Sequence, residues 1–163
     1  MIISPTIIEL LNYRIQREQY SSRVYHAMYL WLQDKGYTGA AKLWKRYSEE
    51  EMKHASWAED FLDSFNIKPA IRPLEEPPCE FEGLGDIIRR TLEHETNITN
   101  ECNELARICL SEINMSAFSL AMKYVAEQVE EMDKSYFLYN RLQLFGEDPV
   151  SLRIFDNELG ELA

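Results

Sequence analysis

Helix breakers are scarce in this sequence. Its 163 residues include six glycines and six prolines, and four of the prolines fall together between Pro69 and Pro78. Basic residues are few as well: 17 Lys and Arg stand against 28 Asp and Glu, for a formal net charge of -11 at pH 7. Such acidity excludes a general nucleic-acid binder, which needs positive charge for phosphates. It also argues against an anionic membrane surface as partner. No stretch approaches the roughly 20 apolar residues of a membrane span. Met1 to Pro5 lacks the basic lead and apolar run of a signal peptide, so the expected location is the cytoplasm. Cysteine is limited to Cys79, Cys102 and Cys109, with no Cys-x-x-Cys pair, so zinc-ribbon and rubredoxin-type sites find no support. Cys102 and Cys109 stand seven apart in a helical stretch, about 10.5 Å, too far for a disulfide. What remains is 45% hydrophobic and 12% aromatic, enough for a sizeable core in one domain spanning residues 1–163. The excess of carboxylates suits a cation.

The breakers divide the chain into long uninterrupted segments. Ser4 and Pro5 open a helix expected to run to about residue 35, with Gly36 at its end. Ile7, Ile8, Leu11, Ile15, Met28, Trp31 and Leu32 recur along it at helical spacing. A second helix is expected over 38–65, a third over 84–113 and a fourth over 116–145, closed by Gly146. The proline-rich stretch 66–82 cannot be helical. Asp148-Pro149 starts a short fifth helix expected to reach Leu159 before Gly160. The fold class is therefore all-α. Helices of 28 to 31 residues span roughly 42–46 Å, and amphipathic helices of that length bury their stripes as an antiparallel bundle. Short links join helices one to two and three to four, while a long one joins two to three. That is a four-helix bundle with one long crossover.

Several carboxylates interrupt the apolar stripes. Glu51 and His54 form Glu-x-x-His on the second helix, where residues three apart share a face. On the first helix, Glu18 follows Ile15 by three and precedes Tyr25 by seven. Glu95 is the candidate on the third. On the fourth, Glu127, Gln128, Glu130 and Glu131 make overlapping pairs, Glu127/Glu130 and Gln128/Glu131. One inward carboxylate from each of two helices, with Glu-x-x-His pairs from the other two, builds a di-iron centre; here Gln-x-x-Glu replaces the second pair. Oxygen-rich ligation with one imidazole suits iron. Buried carboxylates repel one another unless cations neutralise them, so burial creates the demand for metal. His26 and His94 neighbour candidate ligands in sequence and so point about 100° away from them. Glu18 and Glu51 fall roughly level if the first two helices are antiparallel.

From end to end the chain resembles the bacterial non-haem ferritins. The stretches that carry the resemblance are Glu18-x-x-Ser21-Ser22-x-x-Tyr25-x-x-Met28-x-x-Trp31, Gly39-Ala40-Ala41 and Glu50-Glu51-Met52-x-His54. They continue with His94-Glu95, Asn103-Glu104-Leu105-Ala106, Glu127-Gln128-x-Glu130-Glu131 and Phe155-Asp156-x-Glu158-Leu159. The resemblance implies a ferritin-like four-helix bundle with a short fifth helix, and a ferroxidase that oxidises Fe²⁺ with O₂ at a di-iron centre. It also implies storage of ferric oxide inside a homo-oligomeric shell of 24 subunits. By position, Glu18, Glu51 and His54 would hold the first iron, with Glu51 bridging. Glu95 and Glu131 would hold the second, with Gln128 nearby. Glu50, Glu127 and Glu130 would form a third iron site linked through Glu131. Tyr25 would bond a ligand carboxylate and be placed to donate an electron. Phe118 and Ala121 stand where animal ferritins carry pore-lining carboxylates, and Lys123 stands where many bacterial ferritins have a tryptophan. Met52 matches the axial methionine of haem-containing bacterioferritins, which makes such a protein the alternative reading. Glu131, where those proteins use histidine, points away from haem. A mineral-nucleating shell without ferroxidase activity and a twelve-subunit mini-ferritin fit less well, given the full ligand set and the fifth helix.

Overall fold

The computed structural model describes residues 2–163. Five helices follow one another: α1 (Pro5–Asp34), α2 (Thr38–Ser64), α3 (Leu84–Ser111), α4 (Met115–Phe145) and α5 (Pro149–Leu162). Among the described residues there is no strand. Serine caps α1 as expected, with Ser4 Oγ accepting from the Ile7 amide at 3.2 Å. The ends of α1, α2 and α3 share one device. The residue after each cap, Gly36, Asn66 or Ile113, takes a positive φ. The next amide then reaches back to the carbonyl five residues earlier: Tyr37 to Leu32, Ile67 to Leu62, Asn114 to Cys109.

α1 packs chiefly on α2 and α3 on α4, and the crossover 66–83 runs the length of α1. Arg72 pairs with Glu9, the Ala70 amide donates to Asn12 Oδ1 at 2.9 Å, and Gln16 Nε2 donates to the Pro73 carbonyl at 2.9 Å. Farther on, Phe81 meets the Trp31 ring edge-on at 5.9 Å. The crossover thus reaches the far end of the bundle before α3 begins.

α5 does more than close the chain. The side chain of Tyr37 gives α2 no cap. Asp156 of α5 supplies it instead, accepting from the amides of Ala40 at 2.7 Å and Gly39 at 3.3 Å. The expected stop at Gly160 is not observed, and α5 continues to Leu162. Gly160 serves close approach instead. A Cβ on it would lie 3.0 Å from the Cα of Gly39, and a Cβ on Gly39 would lie 2.0 Å from the Asp156 carbonyl oxygen.

The core is in two parts. One apolar cluster combines the C-terminal half of α1 with the start of α2, the start of α3, the end of α4 and α5. The other combines the start of α1 with the end of α2, the end of α3 and the start of α4. Between them lies a buried polar belt that includes Glu18, Ser22, Ser48, Glu51, His54, Glu95, Gln128, Glu131 and Ser135. Phe118 and Ala121 belong to the second cluster, Ala121 fully buried and Phe118 packed against it. Ala121 is therefore no surface position of the subunit, and Phe118 is half-buried.

Candidate metal centre

The belt is where the four long helices place their inward carboxylates. Ser22 and Ser48 hold α1 and α2 together there, each hydroxyl donating at 2.8 Å to the other residue's carbonyl. Such small residues let the backbones approach, and Glu18 then meets Glu51 and His54. Donor atoms of Glu18, Glu51 and His54 all lie within 4.8 Å of one another, and so do those of Glu51, Glu95 and Glu131. All five residues are buried, and Glu51 belongs to both groups. His54 Nδ1 lies 3.1 Å from Glu51 Oε2 and 3.8 Å from Glu18 Oε2, while its Nε2 lies 3.3 Å from Glu127 Oε1. Gln128 Nε2 donates to Glu95 Oε2 at 3.0 Å and to Thr99 Oγ1 at 3.1 Å. Tyr25 donates its hydroxyl proton to Glu95 Oε1.

Burial sets the charge state. It raises Glu51 well above the usual carboxylate range, and the nearby Glu18 and Glu95 raise it further. Glu95 is raised chiefly by burial, against the hydrogen bonds from Tyr25 and Gln128. Glu131 is pushed up to about 8 by burial and by Glu95, although Lys134 pulls the other way. Tyr25 is held far above its ordinary value by burial and by Glu95. Glu131 therefore keeps its proton at neutral pH, and burial favours the uncharged form of Glu51 and Glu95, which a divalent cation would reverse. Oxygen donors with a single imidazole, in two groups joined through one carboxylate, fit a pair of hard to intermediate cations.

The three candidates for an outer position are less gathered. Glu50 and Glu127 have side chains 23% and 22% exposed, and Glu130 faces solvent. Glu50 takes Arg46 Nε at 2.9 Å. Lys134 Nζ sits between α2 and α4, 3.2 Å from Glu131 Oε1 and 3.8 Å from Glu50 Oε2. Partial burial opposes its charge, but Glu131 and Glu50 outweigh burial and hold Lys134 above its ordinary value.

Three residues around the belt gave no functional signal in the sequence. Arg14 is almost fully buried; its Nε is 3.0 Å from Glu18 Oε1, a charge contact without hydrogen-bond alignment, and its Nη2 has no partner. Its Nη1 donates to Glu101 Oε2 at 3.0 Å. The signal was available: Arg14 lies between Leu11 and Ile15, on the buried stripe. Trp57 packs its ring 4.8 Å from that of His54, with Lys123 Nζ above it at 4.1 Å. A tryptophan thus flanks the histidine from α2, under the lysine that α4 carries. Lys134 is the third. His94 turns away from the donor cluster, as its place in sequence required. It bonds Ser21 Oγ at 2.8 Å, and burial, reinforced by Arg17, pushes it down to about 4. His26 and Met52 are exposed, and all three cysteines are free thiols.

Known proteins share this fold. Residues 8–151 match the family model of the ferritin-like domain. The chain is 33% identical over 162 residues to a probable bacterial non-heme ferritin-like protein of Haemophilus influenzae, covering 99% of this chain and 98% of that protein. It is 32% identical over 161 residues to the bacterial non-heme ferritin of Escherichia coli, with the same coverage. Its fold overlays that of the open-pore ferritin from the hyperthermophilic archaeon Archaeoglobus fulgidus with a TM-score of 0.93, at 31% identity, over 97% of this chain and 98% of that one.

Proposed function

The chain belongs to the ferritin family, and on that footing we propose that it stores iron, oxidising Fe²⁺ with O₂ at the buried belt and holding the ferric oxide inside a shell of 24 copies. The observation that carries this reading is Glu51, which stands in both donor groups as a carboxylate shared by two cations must. Glu18, Glu51 and His54 would bind one Fe²⁺, and Glu51, Glu95 and Glu131 the other, with Gln128 beside Glu95. Two Fe²⁺ ions so placed each surrender one electron to the same O₂. Protons displaced from the buried carboxylates as iron binds, Glu131 first among them, are on hand for the reduced oxygen. Tyr25 fixes the orientation of Glu95 and is the phenol placed to supply a further electron. Residues 1–163 act as one ferritin-like domain. Among the described residues no helix is long and apolar enough to cross a membrane, and three free thiols fit a reducing compartment such as the cytoplasm.

The haem alternative draws no support from relatives named non-heme, nor from a carboxylate at Glu131. Glu50, Glu127 and Glu130, with Glu131 as the link, are the proposed third iron position. Iron seated there would displace Lys134.

Mixing apoprotein with Fe²⁺ in air and following the fast phase of oxidation tests the assignment. Glu51→Ala and His54→Ala should each slow that phase by about 100-fold or more, the scale of removing a group that orients the reactants. Either variant oxidising iron as fast as the parent would show that the centre lies elsewhere. Mineral growth without any saturable fast phase in the parent would mark a passive nucleating shell instead.

A further inference from the structure

The belt holds two cations of its own, and they differ in one respect. Arg14, at the Glu18 end, is 2% exposed and locked under α3 by Glu101. Lys134, at the Glu131 end, is 36% exposed, so its long stem has a path to solvent. Of the four carboxylates assigned to the third position, Glu131 and Glu50 hold Lys134, Glu127 faces His54, and Glu130 faces solvent.

We propose that Lys134 is a tethered, displaceable counter-ion that competes with iron for Glu50 and Glu131, so that iron enters the third position last, binds it weakly and leaves it readily. This rests on the di-iron reading above. The physical argument is one of competition. An ammonium carried three residues after Glu131 shares its helix face. Because it is tethered, it faces the carboxylates at a high effective concentration and gives up little freedom to bind them. Glu131 has two carboxylate oxygens, so one can serve the second inner iron while Lys134 keeps Oε1. An Fe²⁺ at the third position needs that same edge of Glu131 together with Glu50, and two like charges a few ångströms apart repel. The ammonium must swing out toward solvent for iron to be seated, and it returns when iron leaves. Arg14 cannot do this. The two ends of the centre are therefore unequal: a fixed cation stands behind the inner irons and a movable one guards the outer position.

Calorimetric titration of oxygen-free apoprotein with Fe²⁺ tests the proposal, with stoichiometry and affinity as readouts. The parent should show two tight equivalents per subunit and a third about tenfold or more weaker. Lys134→Met, which keeps the bulk and removes the charge, should tighten the third equivalent by about tenfold or more. Lys134→Arg, which keeps the charge, should behave as the parent. A third step unchanged in Lys134→Met overturns the proposal, and so does a Lys134→Arg chain that gains the same affinity as Lys134→Met. Glu51→Ala separates this from the underlying reading. Loss of both tight equivalents supports the di-iron assignment, and their retention overturns that assignment whatever Lys134 does.

Discussion

Glu131 shows what a buried carboxylate costs a chain without metal. In the folded state it keeps its proton up to about 8, against 4.5 for an ordinary glutamate. Between those values the folded state binds the extra proton, so stability falls as pH rises through the window. His94 works in the opposite sense. Its folded value is pushed down to about 4 from 6.5, so its contribution is complete above 6.5 and lost only on acidification. The range above 6.5 therefore isolates the carboxylates. Apoprotein at about pH 8.5 should be less stable than at about pH 6.5 by about 2 kcal/mol, or roughly 5 °C in melting temperature. Glu131→Gln should shrink that difference, leaving what Glu51 and Glu95 contribute. A melting temperature that rises over this interval would contradict the buried charge state. At this scale the sequence was legible wherever spacing did the work: Glu18, Glu51, His54, Glu95 and Glu131 share faces that periodicity reveals, and they do converge. Arg14, Trp57 and Lys134 were not legible as parts of the site. Its place on the buried stripe marks Arg14 as buried, but only Glu101 and Cys102 of another helix show what it packs under.

The helix starts that carry their own caps were readable, as at Ser4-Pro5 and Asp148-Pro149. The start of α2 was placed at Thr38 as observed, but its cap was not readable, because it is Asp156, 116 residues away from Ala40. The end of α5 was misplaced for the related reason that Gly160 answers to Gly39 and not to its own helix. The α2–α5 contact thus adds to its apolar packing a close backbone approach made by two glycines and capped by one aspartate. Gly39→Ala would drive a Cβ into the Asp156 carbonyl, where only backbone can give way. The expected outcome is a loss of about 2 kcal/mol or more, with α5 lifted from α2. Denaturant unfolding together with limited proteolysis of the C-terminus measures both. Unchanged stability with α5 still protected would show that the contact tolerates a methyl group. Ile113 is the outlier among the helix ends. It is a β-branched residue at a positive φ of 54°, in the place where Gly36 and Asn66 serve the other helices at lower cost.

One subunit leaves much apolar surface uncovered. Ile71, Leu144, Val150 and Val129 are 90%, 77%, 69% and 68% exposed, and residues of this kind are what an assembly covers. A closed shell of 24 copies of a 19.2 kDa chain should elute from size exclusion at roughly 460 kDa; a species well short of that would contradict the shell. Bundle, crossover and fifth helix were all foreseeable from the breakers, since long segments without them leave few other ways to bury a stripe. That the core is two clusters and not one was hidden, because only the assembled helices show which polar residues stack at the same height. This division has a consequence for how the subunit behaves as a material. Its two apolar halves meet across a layer of buried carboxylates whose charge burial disfavours, so without metal that layer is where the bundle yields most readily. A cation seated there ties those carboxylates to one another. The wall of the shell would then be stiffest while it holds its substrate and most pliant once it has passed the iron on.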